Sequence, residues 1–311
     1  MKKVVRSLAL VVCGFIFLSL TGCDSEETVV TRELTIGLMA SVDAFPIVIA
    51  HHNGYFAEEG LEVTLIPFSN AANRDAALQA GELDGTTADL VGTGLFIEAG
   101  LPMRATGGTG GRFTLVANEG FNSVADLAGA TVVISENTAI DFVLDTMVAR
   151  SGFELTHVER SVVPSIPERM ELLRAGLVTA AVLPEPWASI AIHDGLYGIM
   201  NTVEMDFVPF IQAFTDEVID NRPEDIRAFY RAYNRAIDFI NETPLEDYFY
   251  IMVEVINFPE HVADFLILPT FTHNRLPADD VLAAATQWLI ERGLVSETMT
   301  PADLVSPVAF E

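Results

Sequence analysis

Hydrophobic and polar positions follow two alternating periods through the first two thirds of the chain. Short apolar runs at residues 34–39 and 61–67 are typical of buried strands, whereas residues 45–58 and 70–80 have the spacing of helices. Gly60 and Gly81 follow these helices, at the position where glycine often ends one. Short strands separated by helices of about ten to fifteen residues predict βαβ units and a mostly parallel sheet.

After residue 221 the pattern predicts helices. Pro223 and two acidic residues mark a helix start, because proline suits the first helical position and acids suit the positive end of the helix dipole. Apolar residues then recur at helical spacing as far as Ile240, which indicates a buried stripe. Further helices are predicted after Pro244 and over 281–292. We assign the aromatic residues of these stripes to the core.

One unit of the pattern occurs twice. NRDAALQAGELDG at 73–85 aligns with ERMELLRAGLVTA at 168–180, an offset of 95 residues. Each copy reads as a helix, a glycine that ends it, and a buried strand that runs into polar residues or turns. Open α/β sheets bind ligands beyond the carboxyl ends of their strands. Two lobes of similar plan would therefore bring the two strand ends to opposite sides of a ligand-binding cleft, although chance similarity remains the alternative.

The first residues have the pattern of a bacterial lipoprotein signal. Three basic residues precede an apolar run at 8–20, which is shorter than the roughly 20 apolar residues that a membrane-spanning helix needs. LTGC at 20–23 resembles a lipobox. We predict a signal peptide at 1–22, a lipidated Cys23 and a tether at 23–32; the alternative is a secretory signal with a chance cysteine. Acyl chains would hold the protein on the extracytoplasmic side of the cell membrane, the periplasmic face of the inner membrane in a Gram-negative host.

Composition narrows the classes of partner. Loss of the signal would change the formal net charge from −27 to −30, which argues against nucleic acid because phosphates are bound by lysine and arginine. The two cysteines lie at 13 and 23, so the predicted mature chain has no disulfide and depends on its packed core. Residues 23–311 are enough for two lobes.

Three segments carry a resemblance to a known family. They are NGYFAEEGLEV at 53–63, AALQAGELDG at 76–85 and AAVLPEP at 180–186. They resemble the solute-binding proteins of ABC importers, in the branch of the nitrate, taurine and aliphatic-sulfonate binders and the binders of thiamine-pyrimidine precursors. The resemblance extends from residue 34 to about residue 214 and is more specific for the fold than for the ligand.

This resemblance implies an α/β, two-lobed type II periplasmic-binding-protein fold. Each lobe has a mostly parallel sheet with helices on both faces, and the C-terminal tail is helical. The first lobe would take residues 33–110 and 207–311, and the second residues 111–206. The lobes would be hinged at 106–112, which contains four glycines, and at 200–207. The expected partners are a small-molecule ligand and the permease and ATPase subunits of an importer, with a monomeric receptor, no cofactor and no catalysed reaction.

Several other chemistries lack their motifs. The segment TGGTGGR at 106–112 has arginine where a phosphate-binding loop needs lysine followed by serine or threonine. The adjacent His51 and His52 point about 100° apart on a helix and cannot bind one metal from the same face. A pyrimidine synthase related to the thiamine-type binders uses a cysteine-rich segment, and this chain has none. An enzyme of that type and a sensory lipoprotein remain alternatives to the transport receptor.

The candidate ligand-binding residues follow the predicted strands. Asp43 and Phe45 follow the first strand, Asn70 opens the second helix, and Thr87 and Asp89 lie at the next strand end. Asp43 and Asn70 could instead only cap their helices. In the second lobe the candidates lie after the corresponding strands; they are Glu136, Asn137, Thr138, Glu185 and Trp187.

These residues favour a particular ligand chemistry. Four of them are carboxylates, which suit N–H donors or positive charge and repel a bare sulfonate or nitrate. Phe45, Phe68 and Trp187 could stack on a planar ring or belong to the core. The balance favours a small nitrogen-containing molecule of a type that includes heteroaromatic rings, with a sulfonate-type or nitrate-type anion as the alternative.

If Cys23 bears the anchor, Cys23→Ser should release the protein from the membrane fraction into the soluble or secreted fraction, because the acyl chains would have no attachment point. Ultracentrifugation of cell lysates followed by immunoblotting measures the distribution. Sedimentation of the variant with membranes would show that the anchor is something else.

Overall fold

The computed structural model describes residues 32–311. The predicted signal peptide, Cys23 and the tether up to residue 31 lie outside the described residues. Within 32–311, no helix is both long enough and apolar enough to cross a membrane.

The first sheet has five strands in the order β2-β1-β3-β10-β4. β1, β2 and β3 are parallel, and β10 is antiparallel to both of its neighbours. The strands are β1 (Arg32–Met39), β2 (Leu61–Phe68), β3 (Gly85–Asp89), β4 (Met103–Gly108) and β10 (Phe210–Thr215). The helices between its first four strands are α1 (Phe45–His52), α2 (Tyr55–Glu58), α3 (Ala71–Gln79) and α4 (Leu90–Glu98).

The second sheet repeats this plan in the order β7-β6-β8-β5-β9, with β5 antiparallel to both of its neighbours. Its strands are β5 (Phe113–Ala117), β6 (Thr131–Ile134), β7 (Glu159–Val162), β8 (Ala180–Pro184) and β9 (Tyr197–Asn201). Its helices are α5 (Ala139–Arg150), α6 (Ile166–Arg174) and α7 (Trp187–His193).

The two sheets confirm the predicted repeat and fold class. The units α3-β3 and α6-β8 are related by the offset of 95 residues, and β3 and β8 occupy the same place in the strand order of their sheets. Gly81 and Gly176 follow the two helices with φ angles of 73° and 65°, a left-handed conformation that glycine adopts without steric cost.

The C-terminal part is mainly helical, as predicted. It comprises α8 (Asp216–Asn221), α9 (Pro223–Glu242), α10 (Leu245–Ile256) and α11 (Asp279–Glu291). The apolar face of α9 is buried against α1, and α11 packs beside α4. Elements of both sheets contribute side chains to each of the two largest buried hydrophobic clusters, so the halves share packed surface.

The predicted helix at 45–58 is interrupted. α1 ends at His52, Gly54 adopts a φ of 74°, and α2 starts at Tyr55. The left-handed glycine breaks the helix, so this prediction of one continuous helix was wrong.

The chain passes between the sheets twice, after β4 and before β10. The strands of the first sheet come from residues 32–108 and 210–215, and those of the second from residues 113–201. The predicted boundaries at 110 and 206 stay predictions. At the start of the two strands that follow the crossings, the rings of Phe113 and Phe210 stack with centroids 4.4 Å apart.

The first crossing requires glycine because aromatic rings approach its backbone. A Cβ atom at Gly111 would lie 2.3 Å from the Phe210 ring, and one at Gly110 would lie 2.7 Å from the Phe271 ring. Both distances are below van der Waals contact, so any larger residue would displace buried rings.

We expect Gly111→Ala to lower the free energy of unfolding by about 1–3 kcal/mol, the usual cost of overpacking. Gly92→Ala is the matched control, because its Cβ would lie 3.6 Å from the nearest atom, in the first turn of α4. The control should be neutral or stabilising by about 0.5–1 kcal/mol, since alanine favours a helix over glycine. Urea unfolding of both variants measures the difference; equal effects would contradict the proposed clash.

Candidate functional site

The carboxyl ends of the parallel strands in the two sheets lie on the same side as the chain crossings. β3 ends at Asp89, which is paired with Phe210, and β8 ends at Pro184, which is paired with Phe113. Because Phe113 and Phe210 stack on each other, these two sheet edges face one another. The strand ends of the two sheets therefore lie on the same side of the crossings, and the ligand-binding cleft between them stays a prediction from the repeat.

A buried polar cluster occupies the first-sheet side of this cleft. Asp43 is 2% exposed and Ser41 is 6% exposed, just beyond β1. Asp43 Oδ1 and Ser41 Oγ have no hydrogen-bond partner among residues 32–311. A buried carboxylate oxygen without a donor is costly, so it marks a place where a ligand donor would be favourable.

Charge and burial act on Asp43 together. Burial raises its pKa to about 6. The nearby Ser41 hydroxyl, which does not reach hydrogen-bond geometry, the Asp43 backbone and Arg74 oppose the rise, and Asp89 adds to it. Burial also raises the pKa of Tyr233, and the charge of Asp43 raises it further. Asp43, Arg74, Asp89 and Tyr233 therefore form one electrostatic group.

The same group includes residues that the sequence did not indicate. Arg74 is 4% exposed and its Nη1 donates to Thr87 O at 3.0 Å. Gln212 lies opposite Thr87 in the antiparallel pairing of β10 and β3, so the two side chains share a face. Gln212 Oε1 is buried without a partner in the described part of the chain. Arg74 and Tyr233 lie in regular helices, where only the folded structure shows that their charges act on Asp43 or respond to it.

Asn70, Asp89 and Thr138 all cap helices. Asn70 accepts from Asn73 N at 2.9 Å, Asp89 from Gly92 N at 2.8 Å, and Thr138 from Ile140 N at 3.3 Å. Asn70 therefore has the capping role that the sequence left open. Asp89 is half-buried, and burial raises its pKa while the Gly92 N–H and Arg74 lower it. Thr87 is buried and its hydroxyl accepts from Met39 N at 3.0 Å, which ties β3 to β1.

Glu185 belongs to an internal ion pair. Its carboxylate is fully buried, and Oε1 accepts from Nε of Arg112 at 3.0 Å and also from Nη2 of that arginine. Its Oε2 accepts from Ser189 N at 3.0 Å in the first turns of α7. Both oxygens of Glu185 therefore have protein donors and its charge is balanced by Arg112, while its role as a ligand-binding residue stays a prediction.

The sequence leaves Phe45 open between stacking on a ligand and belonging to the core. Its ring is fully buried and contacts Phe258 edge-on at 5.2 Å and Phe271 at 6.5 Å between centroids. The ring therefore fills the core beside α1 rather than lining the cleft. Trp187 is half-buried at the start of α7, and Phe68 is half-buried at the end of β2.

The turn before α5 is held by a charged network. Glu136 is exposed, whereas Asn137 adopts a φ of 57° and donates its backbone N–H to Asp141 at 3.2 Å. Arg292 of α11 bonds Asp141 at 3.0 Å and Asp145 at 2.6 Å. Helix α11, which packs beside α4 of the first sheet, thus fixes the helix that follows Glu136 and Asn137.

The described chain was also searched for groups of side chains that could bind a metal ion. Residues 32–311 contain no group of three or more His, Cys, Asp or Glu side chains arranged to hold a metal ion. What the structure shows at the candidate site is a group of buried polar side chains.

The sequence matches the model of a known protein family. A model described as the NMT1-like family matches residues 27–249. A binding protein of Brucella abortus (strain 2308) is 27% identical over 206 residues, which is 63% of this chain and 63% of that protein. The matched region thus spans less than two thirds of the length of the curated relatives.

Solved structures share the fold at low sequence identity. The periplasmic aliphatic sulphonate-binding protein SsuA of Escherichia coli has a TM-score of 0.75 and 15% identity, over 90% of this chain and 99% of that chain. The periplasmic nitrate-binding protein NrtA of Synechocystis PCC 6803 has a TM-score of 0.68 and 14% identity, over 87% and 84%. The desulfurization enzyme DszB has a TM-score of 0.65 and 13% identity, over 89% and 96%. The chain therefore has the periplasmic-binding-protein fold, which binding proteins and an enzyme both use.

The raised pKa of Asp43 gives a pH-dependent prediction for stability. A carboxyl whose pKa rises from 3.8 to about 6 on folding destabilises the folded state once it ionises, so its cost is absent below pH 3.8 and complete above pH 6. Asp43→Asn should therefore stabilise the protein at pH 7.5 by on the order of 3 kcal/mol. The gain should shrink between pH 6 and pH 4.

Urea unfolding at pH 7.5, 6, 5 and 4 measures this dependence. Asp238→Asn is the matched control, because the Asp238 side chain is 58% exposed and contacts only His273 in the ion pairs of residues 32–311. A gain for Asp43→Asn that does not change with pH, or a loss at pH 7.5, would contradict the assigned burial cost.

Proposed function

Because the chain belongs to the NMT1-like family, we propose that it is an extracytoplasmic solute-binding receptor of an ABC importer. In this proposal the lobes, at residues 33–110 with 207–311 and at 111–206, close on a small nitrogen-containing molecule and present it to a permease and its ATPase. The receptor is a monomer, catalyses no reaction, and is anchored by a lipid on Cys23. The binding proteins among its relatives and structural neighbours support this function.

The observation that carries the ligand chemistry is the unpaired Oδ1 of buried Asp43. Gln212 Oε1, on β10 opposite Thr87, is a second buried acceptor without a partner among the described residues. Acceptors without donors are best satisfied by ligand N–H groups, and an ionised carboxylate adds preference for positive charge. A thiamine-pyrimidine-precursor-like molecule has this chemistry.

The alternatives have weaker support in the site. A sulfonate or nitrate would meet Asp43 and Asp89 on the first-sheet side, while Arg74 and Arg112 are already bonded to protein acceptors. An enzyme remains conceivable because DszB shares the fold, but the chain has no cysteine after Cys23 to act as a thiol nucleophile.

A thermal-shift screen of vitamins, pyrimidines, amines, sulfonates and nitrate tests the function. A true ligand at about 100 times its dissociation constant should add about 2.7 kcal/mol of stability. We expect a nitrogen-containing compound to bind, with an affinity that falls as the pH decreases from 7.5 to 5 and Asp43 becomes protonated. Asp43→Asn should weaken binding by roughly tenfold or more, since a charged hydrogen bond contributes about 1.5–3 kcal/mol.

Calorimetric titration of the Asp238→Asn variant should give the wild-type affinity, because that residue lies on the exposed side of α9. Binding of an oxyanion by the wild type, strengthened by Asp43→Asn, would overturn the nitrogenous ligand and favour the sulfonate or nitrate reading. Turnover of the bound compound would overturn the receptor function itself.

A further inference from the structure

A cavity lies at the chain crossing. It has a volume of about 340 Å³, within the range of small-molecule sites, and its walls include Gly108–Gly111, residues of the second crossing and the loop before α11. None of its lining residues belongs to the Asp43 group. We call this space the hinge cavity.

The hinge cavity contains hydrogen-bond donors that the protein leaves unused. Thr109 lines it, is 6% exposed, and its Oγ1 is buried without a partner among residues 32–311. The Thr109 N–H donates to Phe210 O at 3.0 Å, which fixes this residue on the wall. A buried hydroxyl with no partner costs stability unless something in the cavity bonds it.

A guanidinium on the same cavity is also unpaired. Arg275 is exposed and, of the fourteen arginines in the described chain, it is the one whose side chain makes neither an ion pair nor a hydrogen bond there. Its carbonyl accepts from Gly108 N at 2.7 Å, so its backbone is fixed to the end of β4. Arg150 and Arg169 also lack an acidic partner in the described chain, but each bonds backbone carbonyls, whereas the guanidinium of Arg275 bonds no protein group.

The opposite charge lies on the second crossing. Asp206 lines the hinge cavity, is exposed, and its carboxylate has no partner among residues 32–311. Its backbone has a φ of 48° and donates to Val203 O at 3.0 Å. Arg275 and Asp206 make no ion pair with each other, so the cavity wall carries one unpaired charge of each sign.

We propose that the hinge cavity is a second ligand site, for a small zwitterion with a carboxylate and an ammonium group. The carboxylate accepts hydrogen bonds from Arg275 and Thr109, and the ammonium donates to Asp206. Both charges are exposed and free of protein partners among the described residues, so each is available for a charge-assisted hydrogen bond to such a ligand. Since the walls belong to both crossings, an occupant would contact the two segments about which the lobes are proposed to move.

Calorimetric titration of the full chain with glycine, β-alanine, 4-aminobutanoate and 6-aminohexanoate tests this site. The series increases the separation of the two charges in steps. We expect at least one member to bind, and propanoate and propylamine, which lack one charge, to bind at least tenfold more weakly. No binding by any member, or equal binding of propanoate, would overturn the proposal.

Variants locate the binding. Arg275→Gln and Asp206→Asn should each weaken it tenfold or more, and asparagine tolerates the left-handed backbone at 206. Thr109→Val should weaken it severalfold without lowering the apo melting temperature, because the hydroxyl has no partner to lose. Arg235→Gln is the matched control, since Arg235 pairs with Glu58 away from the cavity.

The cleft and the hinge cavity are distinguished by Asp43→Asn. This variant should leave binding of the amino-carboxylate series unchanged, even if the proposed transport ligand is wrong. Binding that survives Arg275→Gln and Asp206→Asn but is lost in Asp43→Asn would place the zwitterion in the cleft and overturn the hinge site.

Discussion

The stacking of Phe113 on Phe210 is the contact that relates the two halves of the structure. Each ring begins the antiparallel strand of its own sheet, directly after the chain has crossed from the other sheet. The contact brings the carboxyl ends of both sets of parallel strands to one cleft. It also requires glycine at 111, because no side chain fits between the crossing and the Phe210 ring. The position of the cleft, the composition of the crossing and the proximity of the hinge cavity all follow from this arrangement.

The two sides of the cleft share a backbone plan but not a chemistry. On the first-sheet side, a buried carboxyl is left without a full set of donors and its pKa is raised by burial. On the second-sheet side, the buried carboxylate of Glu185 is neutralised by Arg112 and bonded to the start of α7. A ligand would therefore find its strongest unsatisfied partner on one side only. The repeated units α3-β3 and α6-β8 place side chains at equivalent positions in the two sheets, but the side chains at those positions differ in charge and in pairing.

The sequence predicted the backbone well because its signals are local. The glycines that end α3 and α6, the apolar strands beside them and the proline that starts α9 each report on a few neighbouring residues. The break at Gly54 was missed because the apolar spacing continues on both sides of it.

The candidate site could be predicted only in outline. Strand ends identified Asp43, but the partner of Glu185 lies 73 residues away and Tyr233 reaches Asp43 from a helix in the C-terminal part. Phe45 could not be assigned either, because its role depends on Phe258 and Phe271, more than 200 positions later in the chain. Pairings across such separations are decided by tertiary packing, which residue spacing does not encode.

The discontinuous first sheet has a consequence for the order in which the protein forms. All strands of the second sheet lie in one stretch, residues 113–201, whereas β10 must enter between β3 and β4 to complete the first. The edge of β4 is then joined by Val305 and Ser306, with Ser306 N bonded to Ala105 O at 2.9 Å. During synthesis on the ribosome, β1 to β4 emerge first, but they cannot complete their sheet until β10 has been made. The first sheet thus stays incomplete until residues 210–215 and 305–306 have been made, whereas every strand of the second sheet is available earlier.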